Sequence, residues 1–555
     1  MKRTYLLSLL LLFFTTIVFI RVPFFDFTLL EDTTHLDSHP QFSTTPKTQI
    51  LDLWKKPYLI YMPLTYSIWR VAGHLTKQKN LETIPRAKTG VPKEFRFNST
   101  IFHLLPLAFH LGTVFILFWL LCFLTRHPLG SFFGALFFAI HPVQVESIAW
   151  VSGLKEPLAG FWGILSLFLF LIGQETSPKS KIFKFFFLCS TLSFLLSLFS
   201  NPSSITLPIA FSVLIYFPYK KERFLLSSKL LALWMGLAAP LIWLQGSTQS
   251  WIHIANLQIN LKEKTILALD SLSFYFSKIL LPLHLGVDYG RAPDWVLTQT
   301  SIYTTASVFF VFIFSLTLFL KWNKMNWALA CEGFFLATLL PLFIFNRLLF
   351  QTSSSVADHD LYFALVGVAL AIAFSLKFFI KKSWVQNIAV LILVILAIRT
   401  YFQTGYWKDT PTLLTHALEI NSKSALAYRT LGYYFEREEN YEKAISHFHS
   451  SSRLSPQISD FHQLGTLYLA LKNFKEAKLN YEKALSINPL SSSDYHGLGL
   501  SWMGLGNKLL AQENFAKAHA FSPSQLTSLN ALRQVKRELY STHKTSRKAR
   551  SQNRR

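Results

Sequence analysis

The chain alternates apolar runs of roughly twenty residues, long enough to cross a hydrocarbon core of about 30 Å, with short basic loops. The runs continue to about Tyr401 and predict helices at Met1–Ile20, Ile101–Arg126, Leu129–Trp150, Leu158–Gly173, Phe185–Ser200, Ile205–Tyr216, Leu225–Leu244, Tyr303–Leu320, Trp327–Phe345, Leu361–Phe378 and Val385–Arg399. That gives about eleven spans. Ile266–Leu285 is also apolar but contains Asp270, Lys278 and His284. As a span it would leave Lys321 and Lys324 outside, against the cytoplasmic preference of basic loops. It is predicted as an outer-face or re-entrant helix surrounded by protein.

After Trp407 the pattern turns polar and repeats itself. Tyr428, Leu431, Gly432, Phe435, Ala444, Phe448 and Pro456 recur as Phe461, Leu464, Gly465, Tyr468, Ala477, Tyr481 and Pro489. A third copy reads Tyr495, Leu498, Gly499, Trp502, Ala511, Phe515 and Pro523. This step is close to the period of about 34 of tetratricopeptide repeats. Small Gly and Ala let paired helices approach, aromatics fill the groove and Pro ends the second helix. The predicted architecture is all-α: a polytopic helical bundle over 1–407, and a tetratricopeptide-repeat solenoid over 408–532 with repeats near 425–457, 458–490 and 492–525. Thr412–Asn421 is predicted to cover the first repeat, and 533–555, with Lys536, Arg537, Lys544, Arg547, Lys548, Arg550, Arg554 and Arg555 against Glu538, to be a disordered basic tail.

Composition agrees with a membrane protein, since 51% of residues are apolar and 53 are Phe. The net charge of +24 lies mostly in clusters between the runs, where it fixes orientation; no nucleic acid partner is expected. Cys122, Cys189 and Cys331 lie inside apolar runs without CxxC spacing, so neither a zinc site nor a disulfide framework is indicated. Lys2 and Arg3 precede the first run and no small-residue cleavage site follows, which predicts an uncleaved span entering from the cytoplasm. Counting onward puts Lys179, Lys220, Lys381 and Lys382 inside. It puts Pro23–Phe97, His141–Pro157 and the repeats outside.

The chemistry concentrates in those outer segments. His141–Pro157, HPVQVESIAWVSGLKEP, places His141, Glu146, Lys155 and Glu156 beside apolar runs, where a charge costs about 2.5–3.5 kcal/mol or more. Glu31-Asp32, with Asp26 before them and His35, Asp37 and His39 after, are adjacent carboxylates of the sort used as a base or cation ligand. Ser355–Tyr362, SVADHDLY, offers Asp358 and Asp360, which two residues apart would not share a helix face; at most one points into a common cavity. Asp288, Tyr289 and Arg291 add a cation suited to a phosphate. His103 and His110, two helical turns apart, are read as structural hydrogen-bonding groups between helices.

In this order these elements resemble the transmembrane and tetratricopeptide-repeat O-mannosyltransferases and their bacterial relatives, in the GT-C glycosyltransferase superfamily. The resemblance runs through Glu31-Asp32, Tyr61–Tyr66, His103 and His110, HPVQVESIAWVSGLKEP, LPLHLGVDYG, ADHDLY and the repeats. It implies transfer of a hexose, mannose-like, from a polyprenyl-phosphate donor to Ser/Thr hydroxyls of an acceptor protein bound by the repeats. Glu31 or Asp32 would be the base, and His141, Glu146, Lys155, Glu156, Arg291, Asp358 and His359 would build the donor site. If a divalent cation (Mg or Mn) takes part, Glu31 and Asp32 would hold it. The chain departs from the family at Met62, where Arg is usual before Pro63-Leu64, at Pro106 for Asn, and at His359 for Arg. The first loses an outer-loop cation and the last makes it titratable, which bears directly on the donor phosphate contact. The short loops favour a bacterial inner membrane with the repeats in the periplasm, the alternative being the endoplasmic-reticulum membrane with luminal repeats. Other readings are a non-catalytic membrane-anchored repeat scaffold for envelope assembly, and an O-antigen ligase or polymerase, whose charged loop comes late in the chain.

Overall fold

The computed structural model describes residues 2–37, 50–55, 60–76, 84–89, 91–95, 97–177, 179–216, 221–246, 260–340, 354–380, 382–524 and 526–552. His39, Lys220, Lys381 and the part of the expected Trp327–Phe345 span beyond 340 fall outside them. The described chain forms two compact units, residues 1–79 with 96–422, and residues 80–95 with 423–555. The division falls at Ser422 rather than after Trp407, because the helix Thr410–Ile420 packs within the first unit. Thr410 Oγ1 accepts the Leu29 N–H at 3.0 Å, His416 Nε2 bonds the Leu285 carbonyl at 3.0 Å, and Tyr406 stacks on the His416 ring.

In the first unit seven described helices are long and apolar enough to cross a membrane: Lys2–Phe24, Ser99–Thr125, Val151–Gln174, Lys181–Ser200, Ser301–Trp322, Asp358–Phe379 and Ser383–Gly405. Pro128–Ile140 with Pro142–Ala149, bent by 48°, makes an eighth if counted as one span. The other three predicted spans are also helical, with shorter apolar or described stretches: Pro202–Tyr216, Leu231–Leu241 and Asn326–Thr338. Leu261–Leu280 is a helix outside this set, opened by a reciprocal Asn260–Glu263 capping box.

Local sequence explains the breaks that matter. Ser99–Thr125 starts where Asn98 accepts the Thr100 N–H at 2.9 Å and stops at Arg126 with φ +56°. Pro142 ends Pro128–Ile140, and the His141 ring caps the next turn by accepting the Val143 N–H. A Cβ at Gly134 would fall 2.4 Å from the Ala369 carbonyl oxygen, so only glycine lets these two helices touch.

The second unit stacks three helix pairs: Ala425–Arg437 with Tyr441–Leu454, Ile458–Ala470 with Phe474–Ile487, and Ser492–Gly504 with Lys508–Phe521. A Cβ at Gly432, Gly465 or Gly499 would lie 2.9, 2.8 or 2.6 Å from the rings of Phe448, Tyr481 and Phe515, which is why the pattern needs glycine there. Polar contacts bridge successive first helices. Arg429 pairs with Asp460 at 2.6 and 2.9 Å, His462 with Asp494 at 2.6 Å, and His496 with Ser528 at 3.1 Å. The expected disordered tail is instead helical as far as Gln552, within Leu526–Gln552. Leu532, Val535 and Leu539 follow helical spacing and bury against Ala511, Phe515 and Trp502, an apolar stripe that outweighs the nearby charges.

Candidate functional site

The loop after the first helix is held at both ends. Arg21 stacks over the Tyr401 ring, 4.1 Å from its centroid, with Nε donating to Thr404 Oγ1 at 2.7 Å. The Asp26 N–H donates to the Lys408 carbonyl at 3.0 Å. The chain then turns so that Asp32 and Glu31 face different surroundings.

Asp32 is fully buried and its carboxylate is saturated. One oxygen accepts the Thr28 N–H and hydroxyl, both at 2.9 Å. The other accepts the Ser152 N–H at 3.0 Å and hydroxyl at 2.5 Å. Burial raises its pKa, an effect the hydrogen bonds from Ser152 and Thr28 oppose without cancelling. Glu31 keeps 13% of its side chain exposed and lies 3.8 Å from Lys155 Nζ and 3.7 Å from His35 Nε2. Burial pushes its pKa up, but Lys155 first, then His35 and His359, outweigh it and hold the carboxyl below its ordinary range. Two adjacent carboxyls are thus driven in opposite directions. Behind Glu31, His35 Nδ1 bonds Tyr66 Oη at 2.9 Å and its ring packs on Trp69.

Lys155 opens the helix Lys155–Gln174, with Nζ 4.0 Å from Glu156 and 5.5 Å from the Trp150 ring centroid. Four carboxylates face this one ammonium: Glu156, Glu31, Glu146 and Asp360. Asn201 Nδ2 donates to Glu156 at 3.3 Å. Glu146 accepts the His359 backbone N–H at 3.2 Å and lies 2.9 Å from His359 Nδ1. Asp358-His359-Asp360 is a tight 3-10 turn, not the start of an α-helix. Both aspartates are therefore engaged, Asp358 by the Tyr289 hydroxyl at 2.6 Å and Asp360 by the Tyr275 hydroxyl at 2.7 Å. Lys278 stands beside them, its ammonium 5.1 Å from the Tyr289 ring centroid and donating to the Leu283 carbonyl at 2.7 Å. Burial lowers its pKa, Asp358 opposes this, and Arg291 and Arg399 push it further down.

The structure thus gathers Glu31, Glu146, Lys155, Glu156, Asp358 and His359, with Asp32 bracing the edge. It does not bring in His141, which is fully buried with Nε2 on the Ile279 carbonyl at 3.1 Å and Nδ1 on the Val143 N–H. Both ring nitrogens are spent on backbone, so its place is structural. Arg291 forms an ion pair with buried Asp270 and stacks on Phe274, and its carbonyl accepts the Ser355 N–H at 2.8 Å, next to the Asp358-His359-Asp360 turn. His103 bonds the Asp26 carbonyl at 3.2 Å, and His110 bridges Tyr362 Oη at 2.9 Å and the Ala139 carbonyl at 3.0 Å. Of the family departures, Met62 is buried at the start of Pro63–Leu75 and Pro106 inside Ser99–Thr125, while His359 faces Glu146.

Sequence reasoning missed Tyr275, Asn201 and Ser152. Ser152 sits within the AWVSG run, but nothing local signals that a side chain 120 positions away needs its hydroxyl. Among the described residues no three His, Cys, Asp or Glu side chains gather as metal ligands. With Asp32 saturated and Glu31 beside an ammonium, the pair does not fit a divalent ion.

The family model described as tetratricopeptide repeat matches residues 461–489. Protein O-mannosyl-transferase TMTC3 of Mus musculus is 24% identical over 443 residues, covering 71% of this chain and 47% of its own. The Homo sapiens protein of the same name is 23% identical over 508 residues, covering 82% and 52%. Protein O-mannosyl-transferase F38B6.6 of Caenorhabditis elegans is 23% identical over 334 residues, covering 57% and 45%. The chain spans about half the length of the curated relatives it matches. With a helical membrane unit, three helix-pair repeats and these relatives, the chain is similar to the protein O-mannosyl-transferases that combine membrane spans with tetratricopeptide repeats.

Proposed function

We propose that the chain is an integral-membrane glycosyltransferase of the GT-C kind. It moves a mannose-like hexose from a polyprenyl-phosphate donor to Ser/Thr hydroxyls of an acceptor protein on the non-cytoplasmic face. The repeats hold the acceptor, and the membrane is a bacterial inner membrane. The names of the relatives support sugar transfer to protein, and the observation that carries the chemistry is the Glu31–Lys155 pair at 3.8 Å.

Inverting transfer needs a base on one side of the anomeric carbon and charge stabilisation for the departing phosphate on the other. Glu31, ionised and still partly open, takes the proton of the acceptor hydroxyl as its oxygen bonds the anomeric carbon. The carbon–oxygen bond to phosphate breaks and its electron pair leaves with the phosphate. His359, oriented by Glu146, supplies positive charge for that leaving group, while Lys155 keeps the Glu31 base ionised. Asp32 ties the base-bearing loop to the Ser152 turn and touches no substrate.

The test is transfer by the purified full chain from radiolabelled polyprenyl-phosphate hexoses to a panel of outer-compartment proteins. Activity lost in both Glu31→Gln and Lys155→Met, with expression intact, supports the reading. Undiminished transfer by Glu31→Gln overturns it.

A further inference from the structure

Residues 80–95 follow the helix Pro63–Leu75 in sequence, yet they fold as part of the repeat unit. Their described part, residues 84–89 and 91–95, is a hairpin. The Ala87 N–H donates to Val91 O and the Lys93 N–H to Pro85 O, both at 2.9 Å, around an antiparallel Arg86–Pro92 bridge. Ile84 and Ala87 are buried. The Lys88 N–H donates to Tyr441 Oη at 3.1 Å, Lys93 Nζ pairs with Glu439 at 3.1 Å, and the Arg437 guanidinium lies 4.9 Å from the Phe95 ring centroid. Thr89 faces the carboxylate of Glu436, which is fully buried.

All four partners, Glu436, Arg437, Glu439 and Tyr441, cluster at the turn joining the two helices of the first repeat. The same turn recurs, with positive φ at Glu439 (57°), Lys472 (58°) and Gly506 (82°). Its side chains do not recur. The corresponding residues are Leu469, Ala470, Lys472 and Phe474 in the second repeat, and Met503, Gly504, Gly506 and Lys508 in the third. Repeat packing therefore does not call for a buried glutamate flanked by an arginine, a second glutamate and a phenol. Full burial of an acidic side chain is costly, and the hairpin's Thr89 stands beside this one.

We propose that the first repeat is a docking surface for a polypeptide turn. Its occupant is the chain's own Ile84–Phe95 segment, held by Lys93 on Glu439, Phe95 under Arg437 and the Lys88 amide on Tyr441, as a latch over the turn of the first repeat. The latch is independent of any transfer reaction.

Two measurements on the full chain in nanodiscs test it. The first is hydrogen–deuterium exchange of residues 84–95. In the unmodified chain the segment exchanges slowly. Lys93→Glu or Glu439→Lys each speeds it about threefold to tenfold, as expected for reversing one half-exposed ion pair, and the double charge swap restores slow exchange. Exchange at the rate of a free loop in the unmodified chain, or a double swap that stays as fast as the singles, overturns the proposal. The second uses a fluorescein-labelled synthetic peptide of residues 84–95. It binds a variant whose residues 85–94 are replaced by Gly and Ser, and binds the unmodified chain at least tenfold more weakly. Equal binding to both, or binding to neither, overturns the docking surface.

Discussion

Asp32→Ala separates two roles that the sequence leaves together in Glu31-Asp32. The wild-type carboxylate receives four hydrogen bonds, two of them from the backbone N–H groups of Thr28 and Ser152, which have no freedom to turn elsewhere. Truncation leaves these two amides buried beside an alanine methyl, at about 1–3 kcal/mol each, so the change costs about 2–6 kcal/mol. The two hydroxyls can rotate to other acceptors and add little. Asp32→Asn keeps one accepting oxygen but turns an NH₂ toward two donors, and falls in the lower half of that range. Glu31→Gln disturbs no such network. The assay is thermal melting of the full chain in detergent, followed by fluorescence-detected size exclusion. Asp32→Ala should melt well below wild type or fail to give a monodisperse peak, Asp32→Asn should fall between them, and Glu31→Gln should melt near wild type. An Asp32→Ala protein that melts with wild type would refute the bracing role and return Asp32 to candidacy as the base.

Glu31 carries the pH dependence. Its folded pKa is depressed, so the ionised form that transfer requires is complete above the ordinary glutamate value of about 4.3 and is lost only as pH falls through the depressed value; a rate that already halves between pH 7 and 6 through this group contradicts that. In the repeats, Asp460→Ala strands Arg429, whose partner carboxylate is fully buried, and should cost about 3–5 kcal/mol, read as faster proteolysis of the second unit in the full chain. Gly465→Val drives a side chain into the Tyr481 ring and should cost about 1–3 kcal/mol in the same assay. His359→Ala removes the partner of Glu146 and should lower transfer without displacing the melting curve by more than a few degrees.

The parts of the molecule fixed by local spacing are those the sequence makes readable. Each repeat places a glycine sixteen positions before the ring it must admit, Gly432 before Phe448, Gly465 before Tyr481 and Gly499 before Phe515, so packing can be read directly from the pattern. Apolar run length likewise marks the long helices. The site is different because its bonds join distant segments. Asp32 meets Ser152 across 120 positions, and Glu146 meets His359 across 213, with no periodicity linking either pair. Local backbone geometry adds what spacing leaves out. Helical spacing separates Asp358 from Asp360, and the 3-10 turn gives each its own tyrosine partner. His141 looks like an ionisable group waiting for a ligand, whereas the proline after it makes it a cap.

The contact between Lys88 and Tyr441 spans 353 positions. At about 5–20 residues per second of synthesis, the hairpin leaves the ribosome roughly 20–70 s before its receptor exists. During that interval the contacts of Lys88, Lys93 and Phe95 with the first repeat cannot form, so the hairpin takes up its packing only once that repeat has been made.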